Sequence, residues 1–156
     1  MTATNHALAG AVVALVVKEP LLAMPLAFLS HFVVDYIPHF SFADRDLFKR
    51  GFNTLLILDI LTCIGLVGLS YLLFPTNWLV ISICMFLATS PDFMWMYYRL
   101  YLEKIKGVKH IEKRYDPVAA WHHHIQETSH NRFARRGIRN EVLWLLAMCT
   151  TIGLFL

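Results

Sequence analysis

The chain has 156 residues, 57% hydrophobic and only 16% charged, with a formal net charge of +3. Soluble domains carry about a quarter charged residues, so this composition excludes an ordinary soluble globule and points to an integral membrane protein. The length suits one domain, residues 1–156, and is too short for two.

Apolar stretches follow one another with clear punctuation. Ala7–Val17 is short and stops at Lys18-Glu19-Pro20. Leu21–Ile37 stops at Pro38, Leu55–Phe74 at Pro75-Thr76-Asn77, and Trp78–Tyr98 at Arg99. A fifth stretch, Val142–Leu156, closes the chain. A transmembrane helix needs about 20 apolar residues. The third and fourth stretches fit, the second is slightly short, and the first and fifth are marginal. The polar segment Arg99–Asn140 carries Tyr101, Ile105, Val108, Ile111, Tyr115 and Val118, the pattern of an amphipathic helix lying at the interface. The expected fold is therefore all-α. It has about five transmembrane or half-spanning helices plus a cytoplasmic interfacial segment at 99–140. No cleavable signal is expected, because the first apolar run follows Asn5-His6 rather than a basic stretch. Cys63, Cys84 and Cys149 lie in apolar runs without metal-ligand spacing and read as reduced hydrophobes.

Basic residues set the expected orientation. Of the 14, three lie in His39–Phe52 and ten in Arg99–Asn140, leaving only Lys18 elsewhere. Both basic loops then face the cytoplasm, the Pro75 turn faces outward, and the N-terminus is cytoplasmic. A bacterial inner membrane is the expected location.

This topology brings the ionisable residues to one depth. His6 opens the first stretch; His31, Asp35 and His39 close the second; Asp59 begins the third and Asp92 ends the fourth. His122, His123, His124 and His130 lie in the interfacial segment. Each has an ordinary reading on its own: an interfacial histidine, a cap after Pro91, or a His31–Asp35 hydrogen bond at i, i+4. Successive residues on a helix point about 100° apart, so His122, His123 and His124 cannot all face one site. Together, however, three intramembrane carboxylates need partners, since each costs at least about 2.5 kcal/mol at the bilayer centre. Histidine and a metal ion are the available counter-charges. Imidazole and carboxylate are ligands of zinc, manganese and iron, and i, i+4 spacing lets His31 and Asp35 grip one ion. The expected cofactor is one or two divalent ions, zinc first, with manganese or iron as alternatives. His6, His31, Asp35 and Asp92 are metal-ligand candidates. Pro38 ends the helix before His39, which leaves that imidazole free of the ligand face.

Such an ion lowers the pKa of bound water to about 7, and a pair of ions would also clamp a phosphoryl oxygen. A spare carboxylate or histidine serves as general base or acid. Asp59, alone in its stretch, is the candidate base, with His39 and His123 as further catalytic candidates. A site at the cytoplasmic rim beside ten basic residues suits a membrane lipid or polyprenyl-linked phosphate ester. A homo-oligomer is compatible with this reading. Nucleic-acid binding is not expected, because Glu103, Glu112, Asp116 and Glu127 interrupt the basic segment.

Asn5-His6-Ala7-Leu8-Ala9-Gly10, Leu29-Ser30-His31 through Asp35, and Ser90-Pro91-Asp92 resemble motifs of the membrane-bound metal-dependent hydrolases, small inner-membrane proteins. His124 to His130 resembles their H-x4-H element, stretched by one residue, and the order of the His31 and Asp92 elements is reversed. The resemblance implies metal ligation by His6, His31, Asp35, Asp92 and His124, and hydrolytic activity. Two other classes compete. A di-iron lipid hydroxylase would pair histidines as H-x3-H and H-x-x-H-H, whereas here His pairs with Asp. A non-enzymatic metal or proton transporter, or an assembly factor, would use intramembrane Asp and His as relays, yet here they gather at one face.

Overall fold

The computed structural model describes residues 1–39, 50–97 and 134–156, and these are all-helical. Six helices follow in order: α1 (Ala3–Val17), α2 (Pro20–Asp35), α3 (Arg50–Leu73), α4 (Trp78–Thr89), α5 (Asp92–Tyr97) and α6 (Ala134–Gly153). The interfacial helix expected at 99–140 lies outside the described residues except for its last turns, which open α6.

Among the described residues, one helix is long and apolar enough to cross a membrane, over Thr54–Leu73 of α3. The expectation of about five spanning or half-spanning helices is thus not met in number of full spans. The apolar helices α1, α2 and α4 have only 15, 16 and 12 residues. At about 1.5 Å per residue they fall short of a 30 Å hydrocarbon core. The reasons are local. Lys18 takes a left-handed backbone conformation (φ 61°) and Pro20 starts α2 at once, so α1 and α2 form a tight hairpin. Pro38 closes the other end of α2, since the residue before a proline avoids the helical region.

The expected span Trp78–Tyr98 is broken at Ser90-Pro91, separating α4 from α5, as the reading of Asp92 as a cap after Pro91 allowed. Pro91 has no N–H for the Leu87 carbonyl four residues back. The Ser90 hydroxyl donates to that carbonyl at 2.9 Å instead. The break therefore carries its own hydrogen-bond repair, and Asp92 opens the new helix.

The core is small-residue packing among α1, α2 and α4. Ala7, Ala11, Ala14, Ala23, Ala27, Ile81, Cys84 and Met85 are buried there. Alanine faces let helices approach closely, which is how helices associate where lipid removes the hydrophobic drive. Gly10 marks the closest approach: a Cβ at that position would strike the Cys84 carbonyl and come within 2.9 Å of the Ala88 Cβ. α3 packs through one stripe, Leu56, Asp59, Cys63, Leu66 and Ser70, and turns almost everything else outward. The Ser70 and Ser82 hydroxyls, 3.3 Å apart, tie its far end to α4.

Candidate metal centre

The cluster begins with α1. Thr2 caps the helix, and His6 follows within the first turns, on the same face as Gly10, because i and i+4 align. The contact of Gly10 with α4 is what brings His6 against α2 and α4. His31 and Asp35 project from the last turns of α2, and Asp92 arrives from the α4–α5 break. His6, His31 and Asp35 are completely buried, while the Asp92 side chain is 31% exposed.

The four residues can each offer a ligand atom with all atoms within 4.8 Å of one another, and so could hold a metal ion. Asp35 is the hub. Its Oδ1 lies 3.1 Å from His6 Nε2 and its Oδ2 lies 3.1 Å from His31 Nε2. Asp92 stands farther off, 4.0 Å from His6 Nε2 and 3.8 Å from His31 Nε2. The Met1 amino nitrogen also reaches Asp35 Oδ1, at 2.7 Å.

Ring orientation reports what the site is built for. His31 Nδ1 lies 2.8 Å from the Ala88 carbonyl, and His39 Nδ1 lies 2.8 Å from the Ile37 carbonyl. A carbonyl only accepts, so both Nδ1 atoms carry protons, and in the neutral tautomer both Nε2 lone pairs face Asp35. His6 stacks on His31 with ring centroids 4.0 Å apart, and its Nε2 approaches Asp35 without completing a hydrogen bond. Two imidazolium rings at that separation would repel, so the two rings do not both carry a charge. Neutral lone pairs converging on a carboxylate repel it as well, unless a cation lies among them. Histidine ligands characteristically donate the remote N–H to a carboxylate, a backbone carbonyl or water, as His31 does to the Ala88 carbonyl here. The donor set and its outer hydrogen bonds therefore suit a metal ion.

The remaining expected site residues are distributed differently. His39 is 3% exposed, with Nε2 4.0 Å from Asp35 Oδ1, at the edge of the cluster rather than swung away. Asp59 sits apart from the rings. Its Oδ2 accepts from the Ala3 N–H at 2.8 Å and its Oδ1 from the Thr4 N–H at 2.9 Å and from the Thr4 hydroxyl. Both oxygens are engaged at the positive end of α1, the arrangement of a helix cap, not that of a poised base. His123 and His124 lie outside the described residues.

Glu141 on α6 did not emerge as a site residue from the sequence. Its Oε2 accepts from Asn5 Nδ2 at 2.6 Å, from the Thr2 hydroxyl at 3.1 Å and from the Thr2 N–H at 3.3 Å. Next to it, Asn140 Nδ2 donates to the Pro38 carbonyl at 2.7 Å. The available signal was a lone acid immediately before the apolar run Val142–Leu156, a position that reads equally as the edge of the interface.

No family model, curated protein or solved structure matches the chain.

Proposed function

We propose that the chain is a membrane-embedded metal-dependent hydrolase that cleaves a lipid-linked phosphate ester at the cytoplasmic face of a bacterial inner membrane. The observation that supports this reading is the convergence of His6, His31, Asp35 and Asp92, with ligand atoms within 4.8 Å, inside an apolar helical protein. The motif likeness to the membrane-bound metal-dependent hydrolases agrees with it. Zinc is the favoured ion because two neutral imidazoles with carboxylates form a common zinc donor set; manganese and iron accept the same donors. When bound, the ion supplies an activated water and a fixed positive charge for phosphoryl oxygens.

The chain's own residues divide the remaining work. Asp35 joins His6 and His31 into one ligand surface. Asp92, partly exposed, marks the side from which substrate approaches. His39, oriented by the Ile37 carbonyl, is the residue placed to carry a proton. Asp59 lies five residues into the apolar span that starts at Thr54, about 7–8 Å along the helix. It holds the start of α1 at that level, so the site sits just beneath the headgroup layer, within reach of a lipid phosphate. α1, α2 and α4 serve as partial spans that fill the leaflet beyond it.

The test is phosphate release from phospholipids and polyprenyl phosphates by metal-loaded protein in liposomes. EDTA and Asp35→Ala should each abolish it. Activity that survives both excludes the mechanism. A second reading is favoured by the Met1 amino group at 2.7 Å from Asp35. There the cluster is a charge-balanced core of a non-enzymatic membrane protein. It predicts a folded wild-type protein that retains no metal and releases no phosphate.

A further inference from the structure

The metal reading leaves four buried polar atoms without hydrogen-bond partners around the first turns of α1 and the facing turn of α6: His6 Nδ1, Asn5 Oδ1, Glu141 Oε1 and Trp144 Nε1. They balance chemically. If His6 turns its Nε2 lone pair to a metal ion, Nδ1 carries the proton and becomes a donor. Trp144 Nε1 is a second donor, three residues after Glu141 on the same face of α6. Asn5 Oδ1 and Glu141 Oε1 are both acceptors, and they belong to side chains already joined by the 2.6 Å bond from Asn5 Nδ2 to Glu141 Oε2. Asn5 precedes His6 directly and is 2% exposed.

We infer that Glu141, together with Asn5, is the outer hydrogen-bond partner of the His6 ligand, accepting its Nδ1 proton across one water and so fixing the ring on the metal. The inference rests on the metal reading above. His31 and His39 each have a carbonyl in this role, Ala88 and Ile37. His6 is the one histidine of the cluster whose remote nitrogen has no such partner among the described residues, and Glu141, bonded to the neighbouring Asn5, keeps a buried oxygen without a hydrogen bond. Asp59 is committed elsewhere, to the Ala3 and Thr4 N–H groups and the Thr4 hydroxyl, and both its oxygens already have donors. Glu141 is thus a positioning residue: it acts on the ion through His6. Asn140, bonded to the Pro38 carbonyl, anchors the same turn of α6 to the end of α2, so one helix turn holds the bases of both ligand-bearing helices.

The experiment is cobalt titration of the full chain in detergent, following the visible ligand-field bands, for wild type, Glu141→Gln and Asn5→Ser, with melting of the metal-free forms alongside. Outer-partner loss should weaken cobalt binding about 10–100-fold and shift the bands in both variants, while the metal-free Glu141→Gln protein melts near wild type. Wild-type affinity and bands in Glu141→Gln, or a change confined to metal-free melting, would overturn the inference while leaving the metal centre standing. Should Glu141→Gln fail to fold, Asn5→Ser decides by the same criteria. A wild-type protein that gives no cobalt bands removes the metal reading itself, and this inference with it.

Discussion

Asp35 and Asp59 look alike in the sequence: each is a solitary carboxylate in an apolar helix. Their surroundings set them apart. Asp35 faces the Nε2 atoms of His6 and His31 at 3.1 Å each, whereas Asp59 faces two backbone N–H groups at 2.8 and 2.9 Å. Both stand against the start of α1, one beside His6 and one beneath the first turn. A carboxylate in an apolar helix is therefore not a catalytic group merely by its position. The donors that meet it decide whether it binds a cation or caps a helix.

The comparison is broken most severely at Asp35. Asp35→Ala should abolish metal retention while the protein still inserts, as read by elemental analysis of the purified variant. Asp59→Asn should keep the metal and lose stability instead, by about 0.5–2 kcal/mol for a weakened cap, read as a lower melting temperature. If Asp59→Asn sheds the ion as completely as Asp35→Ala, the two carboxylates are one site and the distinction fails. Gly10→Val, away from both, should push α1 off α4, because a Cβ there already meets the Cys84 carbonyl. Small-to-large changes in packed interiors cost about 1–3 kcal/mol, and here the shift also carries His6 away from Asp92, so metal affinity should fall together with melting temperature. Ser90→Ala should give the smallest effect. It leaves the Leu87 carbonyl without the Ser90 hydroxyl beside Pro91, for a loss of about 1 kcal/mol with the metal still bound.

The helical, apolar character of the chain was legible, as was the His31–Asp35 face, because both follow from residue type and spacing. The breaks at Lys18-Glu19-Pro20 and Pro38 were legible as punctuation. The break at Pro91 was legible only as one reading, a cap at Asp92 after the proline, and the Ser90 hydroxyl on the Leu87 carbonyl shows how the chain tolerates it. The expected role of Asp59 as a base rested on its isolation within α3. Isolation along one helix says nothing about donors from another, and the N–H groups of Ala3 and Thr4 arrive from 55 residues away or more. Glu141 escaped for the same reason, since its partners Thr2 and Asn5 are remote in sequence. Pairings between helices carry the positioning chemistry here, and sequence periodicity reads only one helix at a time.

The central claim is that the His6–His31–Asp35–Asp92 cluster holds a metal ion. The most direct measurement is the metal-to-protein ratio of untagged wild-type chain, extracted from membranes, dialysed and compared with His31→Ala. The account predicts at least one divalent ion per wild-type chain, lost on substitution, and a melting temperature that falls when EDTA strips the ion. A metal-free wild-type protein whose melting temperature is the same with EDTA and with added zinc would contradict it.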